Sequence, residues 1–365
     1  MPLLRAEAWF WRKIYRSFYN QIIIDETGMQ RVKDVARKGP IVVIPTHRSY
    51  VDFLLISYIF FHYQVPLPHI AAGDDFLNLA FINWLFRHSG AFFMRRGFGD
   101  DALYRAIFTE YVQGVLASGY PLEFFIEGTR SRTGMTLYPK FGTLSIVLDT
   151  LYDQTFDANI SDIHIVPVSL SYEKIVECDA HVRELLGEPK RQMSSMKLLK
   201  EIPTKLVHSN FGKIAVQFAE PISIRNYLQP TEGTPAAPPS FFPPPSSSAL
   251  LYNPNEPRMS RGQRKADAAR QGGGKAVRLS ESLEQEKKKE KEEEEEEMEM
   301  EGGNGGLTSP PPPPLDPTEK IATCTRLAHQ ITGDFSANLM VLSTSVVASV
   351  VLAHRDTGVT VDVCA

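Results

Sequence analysis

Short apolar runs alternate with amphipathic stretches over roughly the first 230 residues. Ile41-Val42-Val43-Ile44 is β-branched and unbroken, the pattern of a strand buried on both faces. Pro45 has no N–H to give a neighbouring strand and is expected to end it. Thr46, His47 and Arg48 then fall in the turn at its C-terminal end, where open α/β sheets place ligands. Residues 50–63 are almost wholly apolar and read as a helix. The alternation recurs with a strand at 92–94 and a helix over 101–118. That helix puts Leu103, Ala106, Ile107, Tyr111 and Val115 on one face, with Gly119 as its C-cap. A strand at 123–126, a helix over 142–152, a strand within 163–172 and a late strand over 213–218 follow. Crossovers of this length predict an α/β domain with a mainly parallel sheet flanked by helices.

The two ends of the chain differ from this pattern. Residues 8–19 mix Trp9, Phe10, Trp11, Ile14, Tyr15 and Phe18 with Arg12, Lys13 and Arg16. Such an amphipathic helix suits a membrane interface and suits docking onto a core equally well. It lacks the apolar run of a secretory signal. Residues 229–317 are rich in Pro, Ser and Gly and then in charge, a composition that cannot bury enough apolar surface to fold. Helical periodicity returns at 318–358. The apolar stretch 339–353 is broken by Ser343, Thr344, Ser345 and Ser349, so a buried or interfacial helix is expected rather than a span of ~20 residues. The predicted organisation is an N-terminal helical segment (1–39), a catalytic-type α/β domain (40–228), a disordered insertion (229–317) and a C-terminal helical segment (318–365).

Charge and cysteine add little. Residues 1–230 carry 25 Lys and Arg against 23 Asp and Glu, so the formal net charge of −4 arises in the remainder. No nucleic-acid footprint is present. The three cysteines, 178, 324 and 364, are isolated, with no metal-ligand spacing or disulfide framework, which points to a reducing compartment.

Four short motifs carry the chemistry. His47-Arg48-Ser49-Tyr50-Val51-Asp52 places a His and an Asp five positions apart, across a strand end and the first turn of a helix. A neutral imidazole, titrating near ~6.5, can take a proton from an alcohol, and Asp52 can hold its other nitrogen. The nucleophile is then the substrate's own hydroxyl, since no G-x-S-x-G elbow is present. The competing reading is a capping box, with Ser49 as N-cap and Asp52 at the third helical position. Backbone N–H groups at the start of the helix after His47 are the expected oxyanion donors. The loop Glu127-Gly128-Thr129-Arg130-Ser131-Arg132 offers two guanidinium forks, two hydroxyls and a glycine that admits close approach, and Lys140 adds a point charge. That set suits a phosphate. Gly90-Ala91-Phe92-Phe93-Met94-Arg95-Arg96 ends in two arginines that face opposite ways if extended, one toward the phosphate and one toward a carboxylate. In Val166-Pro167-Val168-Ser169, a proline inside a strand marks an edge or a bulge.

In this order the motifs resemble the HxxxxD, GxFFxRR, FxEGTRSR and VPxS blocks of the glycerol-phosphate/dihydroxyacetone-phosphate acyltransferase family. Arg48-Ser49-Tyr50, Phe92-Phe93-Met94-Arg95-Arg96 and Pro139-Lys140-Phe141-Gly142 look most like its dihydroxyacetone-phosphate branch. The resemblance covers residues 8–228 and, more weakly, 318–358. It implies transfer of a long-chain acyl group from acyl-CoA to the hydroxyl of dihydroxyacetone phosphate. His47 would be the base and Asp52 its orienter. Arg95, Arg96, Glu127, Gly128, Thr129, Arg130, Ser131, Arg132 and Lys140 would form the phosphate site, and Pro167 would lie on the acyl-donor side. No metal or redox cofactor is implied, acyl-CoA being a co-substrate. A membrane surface and an ether-lipid enzyme complex are the implied partners, on the lumenal side of the peroxisomal membrane. The chain ends in Val363-Cys364-Ala365, not in a Ser-Lys-Leu type address. Two alternatives stay open: a glycerol-3-phosphate acceptor, and an inactive, truncated paralogue that scaffolds lipid-synthesis enzymes.

Overall fold

The computed structural model describes residues 2–73, 80–95, 97, 101–151, 160–188, 210–228 and 316–353. The low-complexity stretch from 229 to 315 and Arg96 lie outside the described residues. Eight strands form one sheet: β1 (Gln21–Ile24), β2 (Ile41–Pro45), β3 (His69–Gly73), β4 (Ala91–Met94), β5 (Leu122–Glu123), β6 (His164–Tyr172), β7 (Lys213–Phe218) and β8 (Ile222–Ser223). Their order is β1-β7-β6-β2-β5-β3-β4, with β8 beside β6. β6 runs antiparallel to β7 and β8, and every other pairing is parallel. The predicted mainly parallel α/β sheet is therefore what the chain builds.

Alternation along β2 explains why its run is apolar throughout. Val42 and Ile44 face one core, with Leu122, Phe124 and helices α5 (Ala102–Ala117) and α6 (Gly142–Thr150). Ile41 and Val43 face the other, with Val166, Val168 and helices α1 (Pro2–Phe18), α2 (Glu26–Ala36) and α3 (Asp52–Tyr63). Helix α4 (Ala80–His88) lies between β3 and β4, and its Phe86 packs edge-on against Phe53 of α3. Further along are α7 (Cys178–Leu185), α8 (Ile224–Leu228), α9 (Pro317–Ala337) and α10 (Ser343–Ala353).

Several expectations shift. The helix after His47 begins at Asp52, not at residue 50. The strand expected over 123–126 ends at Glu123. Phe124 N–H still reaches the Val43 carbonyl (3.3 Å), but then the chain turns, and Gly128 N–H bonds the Phe125 carbonyl (3.0 Å). On α5 the buried side chains are Phe108, Val112, Gln113, Val115 and Leu116, whereas Leu103, Ile107 and Tyr111 are exposed. Apolar residues ring most of that helix, so its periodicity did not fix the inward face. Pro167 is not on an edge strand. It lies in the sheet interior, opposite the break between β7 and β8, where Ala219 N–H bonds its carbonyl (3.0 Å). A missing N–H costs least at such a break.

The chain's ends join this core. β1 extends the sheet beyond β7 from within the stretch read as helical. α1 docks through Tyr15 and Phe18 and leaves Trp9 and Phe10 exposed. α9 buries Cys324, Leu327, Ala328, Ile331 and Phe335 beside α6. Ser169 Oγ donates to the Phe335 carbonyl (2.9 Å), and Lys320 pairs with Asp149 (2.6 Å). α10 buries none of its residues, so of the buried or interfacial helix expected over 339–353 only the interfacial form fits. Among the described residues no helix is long and apolar enough to cross a membrane.

Candidate active site

His47 and Asp52 meet at the C-terminal end of β2. His47 Nδ1 lies 3.0 Å from Asp52 Oδ2. A carboxylate only accepts, so Nδ1 is the donor in this pair and Nε2 is the ring nitrogen left to face a substrate. The ring stacks on Phe125 with centroids 4.0 Å apart, and its side chain is 19% exposed. Asp52 is fully buried. The same Oδ2 accepts the N–H of Arg48 (2.7 Å) and of Ser49 (2.9 Å), and Oδ1 accepts the Tyr172 hydroxyl (2.6 Å). Asp52 thus reaches back over the turn in both senses anticipated, holding the imidazole and satisfying backbone donors. Half of the capping box forms: Asp52 takes the Ser49 N–H, but Ser49 Oγ takes the N–H of Val51 rather than that of Asp52, and the helix N-cap is Val51.

Those backbone bonds narrow the choice of oxyanion donors. The N–H groups of Arg48 and Ser49 are spent on Asp52, that of Tyr50 on Glu177 (2.7 Å) and that of Val51 on Ser49 Oγ (3.3 Å). They are not available as oxyanion donors. Close by, Glu123 is buried, with neither carboxyl oxygen partnered among the described residues. Burial, and then the charge of Asp52, push its pKa well up, which keeps a second charge from being buried beside Asp52.

The loops after β2 and β5 are clamped together. Glu127 Oε1 accepts the His47 N–H (2.8 Å) and Oε2 the Leu137 N–H (2.9 Å). Ser131 N–H returns to the His47 carbonyl (2.9 Å). Arg48, buried, donates to the Met135 carbonyl (2.9 Å) and faces Glu127 Oε2 at 3.6 Å. Gly128 has φ +66°, and a Cβ there would meet Lys140 Cγ at 3.0 Å, so this turn needs a glycine. Thr129 and Lys140 are exposed, and Ser131 is buried with its hydroxyl unpartnered among the described residues.

Helix α7 and its N-cap Glu177 hold the two arginines of this loop. Arg130 Nη1 is 3.6 Å from Glu177 Oε1 and 3.3 Å from His181 Nε2, and the guanidinium sits 3.5 Å over the Tyr50 ring. Glu177 also accepts the Ser49 hydroxyl (2.7 Å). Arg132 Nε donates to Glu184 (2.9 Å). Burial first, then the charges of Arg130 and Arg132, lower the His181 pKa to about 4. The ring is therefore neutral near pH 7 and can accept from Arg130. The unfolded chain, with an ordinary value near ~6.5, binds this proton first as pH falls. Stability from this group is complete above ~6.5 and is lost as pH drops toward 4. His181→Gln keeps an acceptor for Arg130 and removes the titration. Its urea midpoint should fall less between pH 7 and pH 5 than the wild type's, and equal slopes would refute the assignment.

Not every predicted residue joins this centre. Arg95 is exposed, pairs with Asp101 (2.8 Å) and lies over the Tyr104 ring (4.4 Å), at the β4 edge of the sheet. Pro167 is buried inside the sheet, paired with Ile44 of β2. Conversely, Arg48, Tyr172, Glu177, His181 and Glu184 were not anticipated. Arg48 lies within the first motif, and Tyr172 stands three residues after Ser169 of the fourth, but nothing in spacing assigns them these contacts.

Comparison with known proteins bears on this geometry. Residues 24–171 match the family described as Acyltransferase, and residues 181–253 match the Glycerol-3-phosphate acyltransferase C-terminal region. The second match runs past 228 into the stretch read as an insertion. Dihydroxyacetone phosphate acyltransferase of Homo sapiens is 44% identical over 224 residues, 61% of this chain and 32% of that protein. The Oryctolagus cuniculus protein of the same name is 45% identical with equal coverage. Glycerol-3-phosphate acyltransferase of Histophilus somni is 42% identical over 225 residues, 61% of this chain and 26% of that protein. The chain spans about a third or less of the length of these relatives. A solved 1-acyl-sn-glycerophosphate acyltransferase from Thermotoga maritima, at 17% identity and a TM-score of 0.35, is too distant to inform the site.

Proposed function

We propose that this chain, which carries an acyltransferase-family domain over residues 24–171, moves a long-chain acyl group from acyl-CoA to the hydroxyl of dihydroxyacetone phosphate. The observation that carries the reading is the His47–Asp52 pair, Nδ1 held by the carboxylate, beside a loop holding two guanidinium groups. Nε2 takes the proton of the acceptor hydroxyl as its oxygen attacks the thioester carbonyl. Asp52 stabilises the imidazolium that forms. The tetrahedral intermediate collapses, the C–S bond breaks, and the CoA sulfur leaves and takes the proton back from the imidazolium. Arg132, Ser131 and Lys140 face the acceptor's phosphate. The identity to proteins named for dihydroxyacetone phosphate supports that acceptor.

A second acceptor has its own support. The C-terminal-region match and the bacterial relatives are named for glycerol-3-phosphate, which differs by an alcohol in place of the ketone. The reading includes a peripheral place at a membrane, the peroxisomal one by resemblance, supported by Trp9 (63% exposed) and Phe10 (46%) beside Lys13 on α1. The test is an assay of the full chain, supplied with phospholipid vesicles and palmitoyl-CoA, against each labelled acceptor. Faster turnover of the ketone is expected. Turnover of glycerol-3-phosphate alone would keep the mechanism and change the substrate. Turnover of neither would leave the scaffold reading.

A further inference from the structure

We propose that Glu184 is a built-in occupant of the acceptor's anion site: its carboxylate holds Arg132 in the empty protein and yields the guanidinium to the substrate's phosphate. This rests on a phosphorylated acceptor, as argued above.

The two arginines of the loop are not equivalent. Arg130 is 8% exposed and is enclosed by the Tyr50 ring, Glu177 and His181. Pulling it toward a ligand would strip the Glu177 carboxylate of its cation in a buried place, a costly step. Arg130 is therefore a strut that joins α7 to the His47 turn. The Arg132 side chain is 20% exposed and that of Glu184 21%. Arg132 Nη1 donates to the Arg130 carbonyl and stands 3.5 Å from Thr129 Oγ1, so the guanidinium stays in place while Nε bonds Glu184. One carboxylate oxygen on Nε leaves the fork short of the two parallel bonds that a phosphate offers.

The helix does nothing to keep Glu184 where it is. Glu184 lies in the last turn of α7, where the helix carbonyls make a carboxylate unfavourable. What holds it is Arg132. A partly exposed ion pair of this kind is weak, and a dianionic phosphate with a bidentate fit displaces it. Glu184 thereby keeps weaker anions off Arg132 and keeps the guanidinium oriented until the acceptor arrives. It is a positioning and specificity residue, not a catalytic one.

The test is steady-state kinetics and calorimetry on the full chain and its Glu184→Gln variant. The amide removes the competing charge and keeps a hydrogen-bond acceptor for Nε. The acceptor KM should fall about three- to tenfold, with the KM for palmitoyl-CoA unmoved, and inorganic phosphate should bind more tightly by a similar factor. In an Arg132→Gln background Glu184→Gln should have no effect on phosphate binding. An acceptor KM that rises or stays level, at an unchanged melting temperature, would overturn the proposal. Should neither acceptor be turned over by the wild type, the enzyme reading falls. Inorganic phosphate binding still decides this one: equal affinity in wild type and Glu184→Gln overturns it.

Discussion

Asp52→Asn is expected to lower kcat by roughly 10²–10⁴-fold, with little change in either KM. The reason lies in what each oxygen of Asp52 does. Oδ2 accepts three donors, from His47 Nδ1 and the N–H groups of Arg48 and Ser49, and Oδ1 accepts the Tyr172 hydroxyl. An asparagine can turn its carbonyl to the three donors and its NH₂ to the Tyr172 oxygen, which accepts. The turn therefore survives and the substrates still bind. What is lost is the negative charge that stabilises the imidazolium formed as His47 takes the proton. His47→Ala should match or exceed the loss, since it removes the base itself. Asp52→Ala differs in kind. It leaves buried donors without acceptors, at about 1–3 kcal/mol each, so its loss of activity would mix chemistry with unfolding. The pair of measurements is kcat and the urea midpoint for Asp52→Asn. A kcat within a few-fold of wild type, in a protein of unchanged stability, would sink the dyad.

The dyad was legible because all its parts are local. A β-branched run, a proline, a turn and a helix start place residues 47 and 52 together without any help from the rest of the chain. β1 could have been read too, from Ile22-Ile23-Ile24, had the N-terminal aromatic residues not drawn the segment toward a helix. The remainder was hidden for a physical reason: it is made of long-range pairs. Tyr172 reaches Asp52 across 120 residues and Glu177 reaches Ser49 across 128, and no periodicity encodes which polar side chains converge above a sheet. The oxyanion donors are narrowed at the same level. The N–H groups of residues 49–51 look free in sequence, and only the fold shows that Asp52, Glu177 and Ser49 consume them. The ambiguity of α5 was different, because apolar residues surround that helix and tertiary contact alone chose Phe108, Val112 and Leu116.

Glu127→Ala should destabilise the protein by about 3–5 kcal/mol and disable the site with it. In sequence Glu127 sits in the phosphate-binding block and invites assignment as a ligand contact. In the structure its side chain is wholly buried, and its two oxygens take the His47 and Leu137 N–H groups while Arg48 faces Oε2 at 3.6 Å. Burial raises its pKa, against the opposing pull of Arg48 and the two backbone donors. Removing the carboxylate leaves two N–H groups without acceptors and the buried Arg48 guanidinium without its counter-charge, which is worse than losing one neutral hydrogen bond. Glu127→Gln should cost less, since its one carbonyl oxygen still serves one N–H. The cost of the alanine would not stay local. The His47 turn belongs to β2 and the arginine loop follows β5, and Glu127, with Arg48, fixes one to the other. Urea unfolding of the two variants separates the cases. If Glu127→Ala unfolds within about 1 kcal/mol of wild type, a neutral hydrogen bond's worth, then the clamp does not hold the base against the phosphate loop.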